Sequence, residues 1–201
     1  PCIMKKKIKA LCIVAHPDDE TIWMGGKILR NKDWSWTIFS LCRRDDEDRR
    51  PKFEKVCKMY NAKGIITNLD DEILQNKNID EIKSLLQENL KEPYDLVFTH
   101  GKNGEYGHIR HMEIHNAVKE LKKEGFFGKS RVNYFSYKKG KDKAPHDSEL
   151  KIPIADENAE IVFKLNREEY RTKRKIIENV YGFKHPIFET LSCGKMEAFS
   201  S

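Results

Sequence analysis

Residues 15–20 read Ala15-His16-Pro17-Asp18-Asp19-Glu20. An apolar run over residues 8–15 leads into them and predicts a buried strand over 7–15, and residues 20–31 carry helical spacing. A histidine and two aspartates therefore stand where a strand ends and a helix begins. In an open α/β sheet that is the edge at which ligands bind. An imidazole nitrogen and a carboxylate oxygen both suit Zn²⁺. His16 and Asp19, three residues apart across a helix N-terminus, can converge on one point, while Asp18 points elsewhere and stays free to act on water. Taken alone, the stretch also reads as a proline turn with acidic N-capping residues.

The arrangement returns near residue 100. A second apolar run, residues 94–99, leads into Thr99-His100-Gly101-Lys102-Asn103-Gly104-Glu105-Tyr106-Gly107-His108-Ile109-Arg110-His111. This is a glycine-rich loop followed by two histidines spaced i, i+3 at the start of a helical pattern. Two strand–loop–helix units, each placing metal-ligand chemistry at a strand's end, make a stronger signal than either alone. The candidate ligands are His16, Asp19, His108, His111 and His115, and three of them plus an open position would make a catalytic zinc site. On a helix, His108, His111 and His115 share one face, so spacing leaves all three eligible.

The two motifs resemble the zinc-dependent N-acetylglucosaminyl deacetylases of the PIG-L/LmbE type, whose hallmarks are A-H-P-D-D-E and a later G-H-x-x-H. Both stand intact here, with the typical Asn-Gly-x-Tyr-Gly lead-in, and the similarity runs to about residue 137. The resemblance implies that His111 is the third metal ligand beside His16 and Asp19. It implies that His108 supports the metal site or acts in catalysis at the oxyanion, that Tyr106 or Asp18 protonates the leaving amine, with packing over the loop as the other reading of Tyr106, and that an arginine after the second strand, Arg49 or Arg50, contacts substrate. Asp71, with Asp70 as the alternative, matches a family aspartate and could hydrogen-bond sugar hydroxyls; either also reads as a turn residue. His115 has no motif role and reads as a packed helix residue. The chain departs from the pattern in two places: Pro51 and Lys52 replace the glutamate that follows the arginine, and Tyr181-Gly182-Phe183-Lys184-His185 lacks the late Ser-Gln.

The chemistry implied is removal of the N-acetyl group from an N-acetylglucosamine-type sugar or conjugate. Zn²⁺ lowers the pKa of its water and polarises the amide carbonyl, with Asp18 as general base. The same ligands accept Fe²⁺. The rival readings are a metal-dependent hydrolase of a non-sugar amide or phosphoester, and a non-catalytic binding domain. An intact Asp18 beside intact ligands argues against the latter.

Composition sets the bounds. A chain of 201 residues predicts one domain over residues 1–201 with a real core. It is 38% hydrophobic and 35% charged, and no stretch approaches the length needed to span a membrane. Lys5-Lys6-Lys7 and the apolar residues 11–15 mimic a leader, but the segment is short and runs straight into the motif. Met4 is taken as the natural start. Five cysteines, an odd number without a Cys-x-x-Cys pair, argue against a disulfide framework and for a reducing, cytoplasmic setting. The net charge of +6 reads mainly as a solvated lysine-rich surface, and its basic residues are not interleaved with aromatics as in a nucleic-acid platform. The expected partner is a small amino sugar, not nucleic acid, and a homo-oligomer is compatible with everything here.

Along the chain, strands are expected at 7–15, 35–42, 65–69, 94–99 and 132–137. Helices are expected at 20–31, 51–62, 78–90, 108–124 and 168–180. A charged loop spans 43–50 and a polar loop 138–148; residues 152–165 read as two short edge strands, and the tail from 181 as irregular. Strands separated by helices mean right-handed βαβ units. The expected fold is thus α/β: a Rossmann-like three-layer sandwich with a mainly parallel sheet and the metal site at the C-terminal ends of its strands.

Overall fold

A computed structural model describes residues 6–71 and 79–201. The first strand, β1 (Lys9–Val14), shows why the fold has three layers. Its side chains alternate between faces, and both faces are apolar. Ala10, Cys12 and Val14 join one core with Ile22, Ile28, Phe53 and Ile176. Leu11, Ile13 and Ala15 join a second core with Ile82, Leu86, Ile114 and Val118. A strand buried on both sides belongs in the middle of a sheet covered by helices on each face.

Around it run α1 (Asp19–Arg30), β2 (Ser35–Ser40), α2 (Arg49–Met59), β3 (Lys63–Ile66), α3 (Ile79–Asn89), β4 (Leu96–Thr99), the short α4 (Gly104–Gly107), α5 (Ile109–Lys123) and β5 (Arg131–Phe135). Strands β3, β2, β1, β4 and β5 lie side by side in that order, all parallel. The order reverses between β1 and β4, and the crevice outside the carboxyl ends of those two strands is the place where such sheets bind ligands. The two motifs follow these two strands.

The chain beyond residue 137 differs from expectation. Residues 138–148 are not a loop: β6 (Tyr137–Ala144) and β7 (Asp147–Ala155) pair as an antiparallel ribbon outside the main sheet. The ribbon's lysines face solvent, so its sequence lacks the apolar alternation of a half-buried strand. Of the two expected edge strands, only β8 (Ile161–Lys164) lies at the edge of the sheet. The tail from 181 is ordered into α7 (Phe188–Ser192) and β9 (Met196–Ser200), and β9 slots antiparallel between β5 and β8 to complete seven strands. The helix expected at 168–180 is α6 (Arg167–Lys175) continued by a π-helical turn, Ile176–Tyr181, which ends on Gly182 with φ 87°. Among the described residues, no helix is long and apolar enough to cross a membrane. Cys12, Cys42, Cys57 and Cys193 are buried and unbridged; Cys2, Met4, Glu72 and Asn78 lie outside the described residues.

Strand β9 carries a buried glutamate that no alternation pattern announces. Helix α1 breaks at Met24 (φ −146°, ψ 17°), and the restarted helix presents Gly26 N–H and Lys27 N–H to Glu197 at 2.7 and 2.8 Å. Lys173 Nζ completes the set at 2.8 Å, and both charged side chains are fully buried. Removing one member leaves the other charge uncompensated, which typically costs about 3–5 kcal/mol. Glu197→Ala is therefore expected to lower unfolding stability by that order, read from denaturant midpoints at unchanged slope; a change below about 1 kcal/mol would refute the pairing.

Candidate functional site

The site starts at the carboxyl end of β1. Ala15 N–H donates to His100 Nε2 (3.0 Å), which ties the first motif to the residue that follows β4. His100 Nδ1 then faces Glu105 Oε2 at 2.8 Å. With one ring nitrogen accepting and the other donating, His100 has no lone pair left for a metal. Its ring stacks on His111, centroids 3.8 Å apart. Glu105 is fully buried and also takes His111 Nδ1 at 2.6 Å and Gly101 N–H at 2.7 Å. Burial would raise its pKa, but His100 and His111 hold it down, to about 2. A carboxylate on one nitrogen of His111 aims the other at the site, the usual outer support of a metal-binding histidine.

Three donor atoms meet there. His16 Nδ1 lies 3.2 Å from Asp19 Oδ2, His111 Nε2 lies 3.3 Å from the same oxygen, and the two nitrogens are 3.4 Å apart. Ligand bonds of 2.0–2.1 Å in a tetrahedral site require donor separations of about 3.3–3.4 Å. The triangle thus has the dimensions of three corners of a zinc-sized tetrahedron. Other groupings gather within 4.8 Å: His16, His108 and His111; Asp19, His100 and His111; His16, Cys42 and Asp71. His100 is committed elsewhere, and burial pushes the Cys42 thiol well up, which makes it harder to deprotonate than either histidine. His108 remains a geometric rival to Asp19.

The same carboxylates hold protons on the histidines. Burial lowers the pKa of His16, but contacts with Asp19 and Asp71 outweigh it and raise it to about 9; Asp19 and Glu105 likewise raise that of His111 to about 10. A cation in the triangle takes the place of those protons. Adding Zn²⁺ to the protein in weakly buffered solution near neutral pH is expected to acidify it, and an unchanged pH at full metal uptake would refute this.

Asp18 sits at the N-cap of α1 with φ 118°, yet its side chain caps nothing. Its N–H is held by Glu20 (3.0 Å), itself fully buried and bonded by Thr21 and Tyr181. The Asp18 carboxylate receives Arg49 Nη1 at 2.9 Å. Burial and the adjacent Asp19 push the pKa of Asp18 well above the usual carboxylate range, with Arg49 opposing. For Asp19 burial acts the same way, but His111 and His16 win and hold it well below that range. Two neighbouring carboxylates are thus driven apart, an arrangement that lets one site hold carboxylates in two different roles.

The remaining expectations fare unevenly. Arg49 and Arg50 lie in the first turn of α2, not in the preceding loop. Arg49 stacks on Phe183 (4.6 Å) and lines the cleft; Arg50 is exposed and pairs with Glu54. Asp71 faces His16 Nε2 at 2.9 Å, off the line of a hydrogen bond, and Arg43 Nη2 at 3.1 Å. His108 N-caps α5 in extended conformation rather than sitting within the helix. Its Nδ1 is buried and, among the described residues, without a hydrogen-bond partner; burial and the neighbouring His111 push its pKa down to about 3. Tyr106 packs edge-on against Phe188 at 4.7 Å. His115 Nδ1 lies 3.0 Å from the His100 carbonyl, away from the triangle.

A cleft of about 280 Å³ opens over the triangle, lined among others by Asp18, Trp23, Arg43, Arg49, Tyr106 and Phe188. His100, Glu105, Trp23 and Phe188 escaped sequence reasoning. The first two stand inside the second motif, and a histidine at a strand's end beside a glutamate in a glycine-rich loop was the available signal. Nothing local marks Phe188.

A family model described as PIG-L, GlcNAc-PI de-N-acetylase, matches residues 11–122. An uncharacterized protein of Acanthamoeba polyphaga mimivirus is 28% identical over 131 residues, 57% of this chain and 58% of the relative, so the chain spans little more than half the length of the curated relative it matches. The N,N'-diacetylchitobiose deacetylase of Pyrococcus horikoshii has a similar structure, with TM-score 0.65 and 19% identity over 96% of this chain and 83% of that one. So has the 4-carboxy-2-hydroxymuconate hydratase of Pseudomonas putida, with TM-score 0.62 and 14% identity over 92% and 82%. A deacetylase and a hydratase on one fold leave the reaction to be argued from the site.

Proposed function

The chain belongs to the PIG-L (GlcNAc-PI de-N-acetylase) family, and from that premise we propose that it is a metal-dependent hydrolase that removes the acetyl group from an N-acetylglucosamine-type sugar or conjugate. One observation carries the reading: donor atoms of His16, Asp19 and His111 separated by 3.2, 3.3 and 3.4 Å, with the carboxylate of Asp18, outside the triangle and bonded to Arg49, one residue away. The histidine and carboxylate donors fit Zn²⁺, and Fe²⁺ by the same chemistry. When bound, the metal supplies a Lewis acid for the amide carbonyl and lowers the pKa of water.

The chain's own residues do the rest. Asp18 accepts the proton of the attacking water, and its raised pKa suits it to pass that proton to the leaving amine. His108, held neutral, offers one N–H to the oxyanion. Tyr106, with Phe188 against it, walls the cleft where the sugar's apolar face would lie and brings a hydroxyl near the leaving nitrogen. Asp71 serves the site through Oδ2, which faces both His16 and Arg43.

Arg49, bonded to Asp18, acts on the base as well as on substrate. Arg49→Ala is expected to lower kcat about tenfold or more and to raise KM, whereas Arg50→Ala leaves both within twofold. Equal effects of the two substitutions would remove Arg49 from the site.

The deciding experiment is release of free amine from a panel of N-acetylated amino sugars and their conjugates by protein loaded with Zn²⁺ or Fe²⁺. No release from any of them at full metal occupancy would overturn the reading. Buried, unbridged cysteines are what a reducing compartment such as the cytoplasm maintains.

A further inference from the structure

Asp19 presents its two oxygens to different partners. Oδ2 belongs to the donor triangle and also accepts His16 N–H at 2.9 Å. Oδ1 accepts the indole Nε1–H of Trp23 at 2.8 Å. An indole nitrogen only donates, so this contact cannot reverse, and it pins the carboxylate's rotation about its Cβ–Cγ bond.

Trp23 is itself fixed with unusual thoroughness. It is fully buried, and Tyr137 packs edge-on against its ring at 5.1 Å. The Tyr137 hydroxyl donates to the Trp23 carbonyl at 2.6 Å. In an unbroken helix Lys27 N–H would point at that carbonyl; here it goes to Glu197 instead. The break in α1 thus frees a carbonyl for Tyr137, and Tyr137 holds the residue whose side chain orients Asp19. The path runs from β9 and β6, in the part of the chain where the motif resemblance has faded, to a residue of the first motif.

We propose that Trp23 is a positioning residue that holds Asp19 Oδ1 away from the metal, so that Asp19 binds through Oδ2 alone. This rests on the reading of His16, Asp19 and His111 as the ligands. A carboxylate free to turn can engage a cation through both oxygens and occupy the position that a catalytic site keeps for water or substrate. With Oδ1 on the indole, three single-atom donors would be left to hold a cation, and a further coordination position would be left for water or substrate.

The test uses Trp23→Phe, which keeps an aromatic ring and lacks the N–H, with Co²⁺ or Zn²⁺ alone as probe. The variant is expected to lose Co²⁺ to a competing chelator at about 10- to 100-fold lower chelator concentration than wild type. Its visible Co²⁺ bands should weaken as the coordination number rises, and kcat should fall while KM stays within twofold. A helix-packing role alone would not move the Co²⁺ bands. Should Trp23→Phe fail to fold, the wild-type chain still decides: its Trp23 indole N–H resonance must shift on Zn²⁺ loading and stay slow to exchange, and a resonance that neither shifts nor is protected overturns the proposal. Wild type that binds both cations, matched by Trp23→Phe in affinity, bands and kcat, removes Trp23 alone. Wild type that binds neither cation overturns the ligand reading and this proposal with it.

Discussion

Asp18→Asn is expected to lose turnover while keeping its metal and its fold. Asparagine has nearly the same shape, and it tolerates positive φ better than most residues, so the backbone at φ 118° should survive. Its amide oxygen can still accept from Arg49, whose Nη1 lies 2.9 Å from the native carboxylate. What it cannot do is accept a proton. A positioned general base is worth about 10²–10⁴-fold in rate, so kcat should fall by that range with metal content unchanged. The absence of any capping bond from the Asp18 side chain sharpens the test, because a helix-start role contributes nothing to explain away. Near-normal turnover at full metal occupancy would leave Asp18 only as a partner for Arg49.

His111→Ala is expected to empty the site. It removes one corner of the triangle and leaves Glu105, fully buried, with one of its two imidazole partners. Metal content by elemental analysis should collapse, and activity with it. His115→Ala should keep the metal, since that ring bonds the carbonyl of His100 and not the triangle. The matching experiment on His108 settles the geometric rivalry: His108→Ala is expected to retain metal and lose rate. Retention in His111→Ala would remove that corner, and loss of metal in His108→Ala with retention in Asp19→Ala would put His108 in the place of Asp19.

Much of this was legible in the chain. Strand-to-helix alternation up to residue 135 depends on local spacing, and β1, with apolar residues on both faces, could only be central. The two motifs follow the strands on either side of the point where strand order reverses, so the rule for open sheets locates the cleft at once. Helix starts were less readable. The charge of residues 43–50 reads as a loop and the helical spacing as starting at 51, yet α2 begins at Arg49 and proline is welcome in a helix's first turn. Neighbouring side chains on a helix point about 100° apart, which sends Arg49 to Asp18 and Arg50 to Glu54.

By itself the sequence determined which residues share a neighbourhood: His16 with Asp18 and Asp19, and His108 with His111, because separations of two or three residues at a strand end and a helix start allow few geometries. Only the tertiary structure decided which atoms of those residues face one another. Ala15 meets His100 across 85 residues and thereby takes that ring out of contention as a ligand. Lys27 meets Glu197 across 170, on a strand whose only mark in the sequence is a charged residue where a core position belongs. Such pairings are set by the register of β4 and β9 against their neighbours, and register is fixed by the packing of both cores at once, which no local pattern encodes.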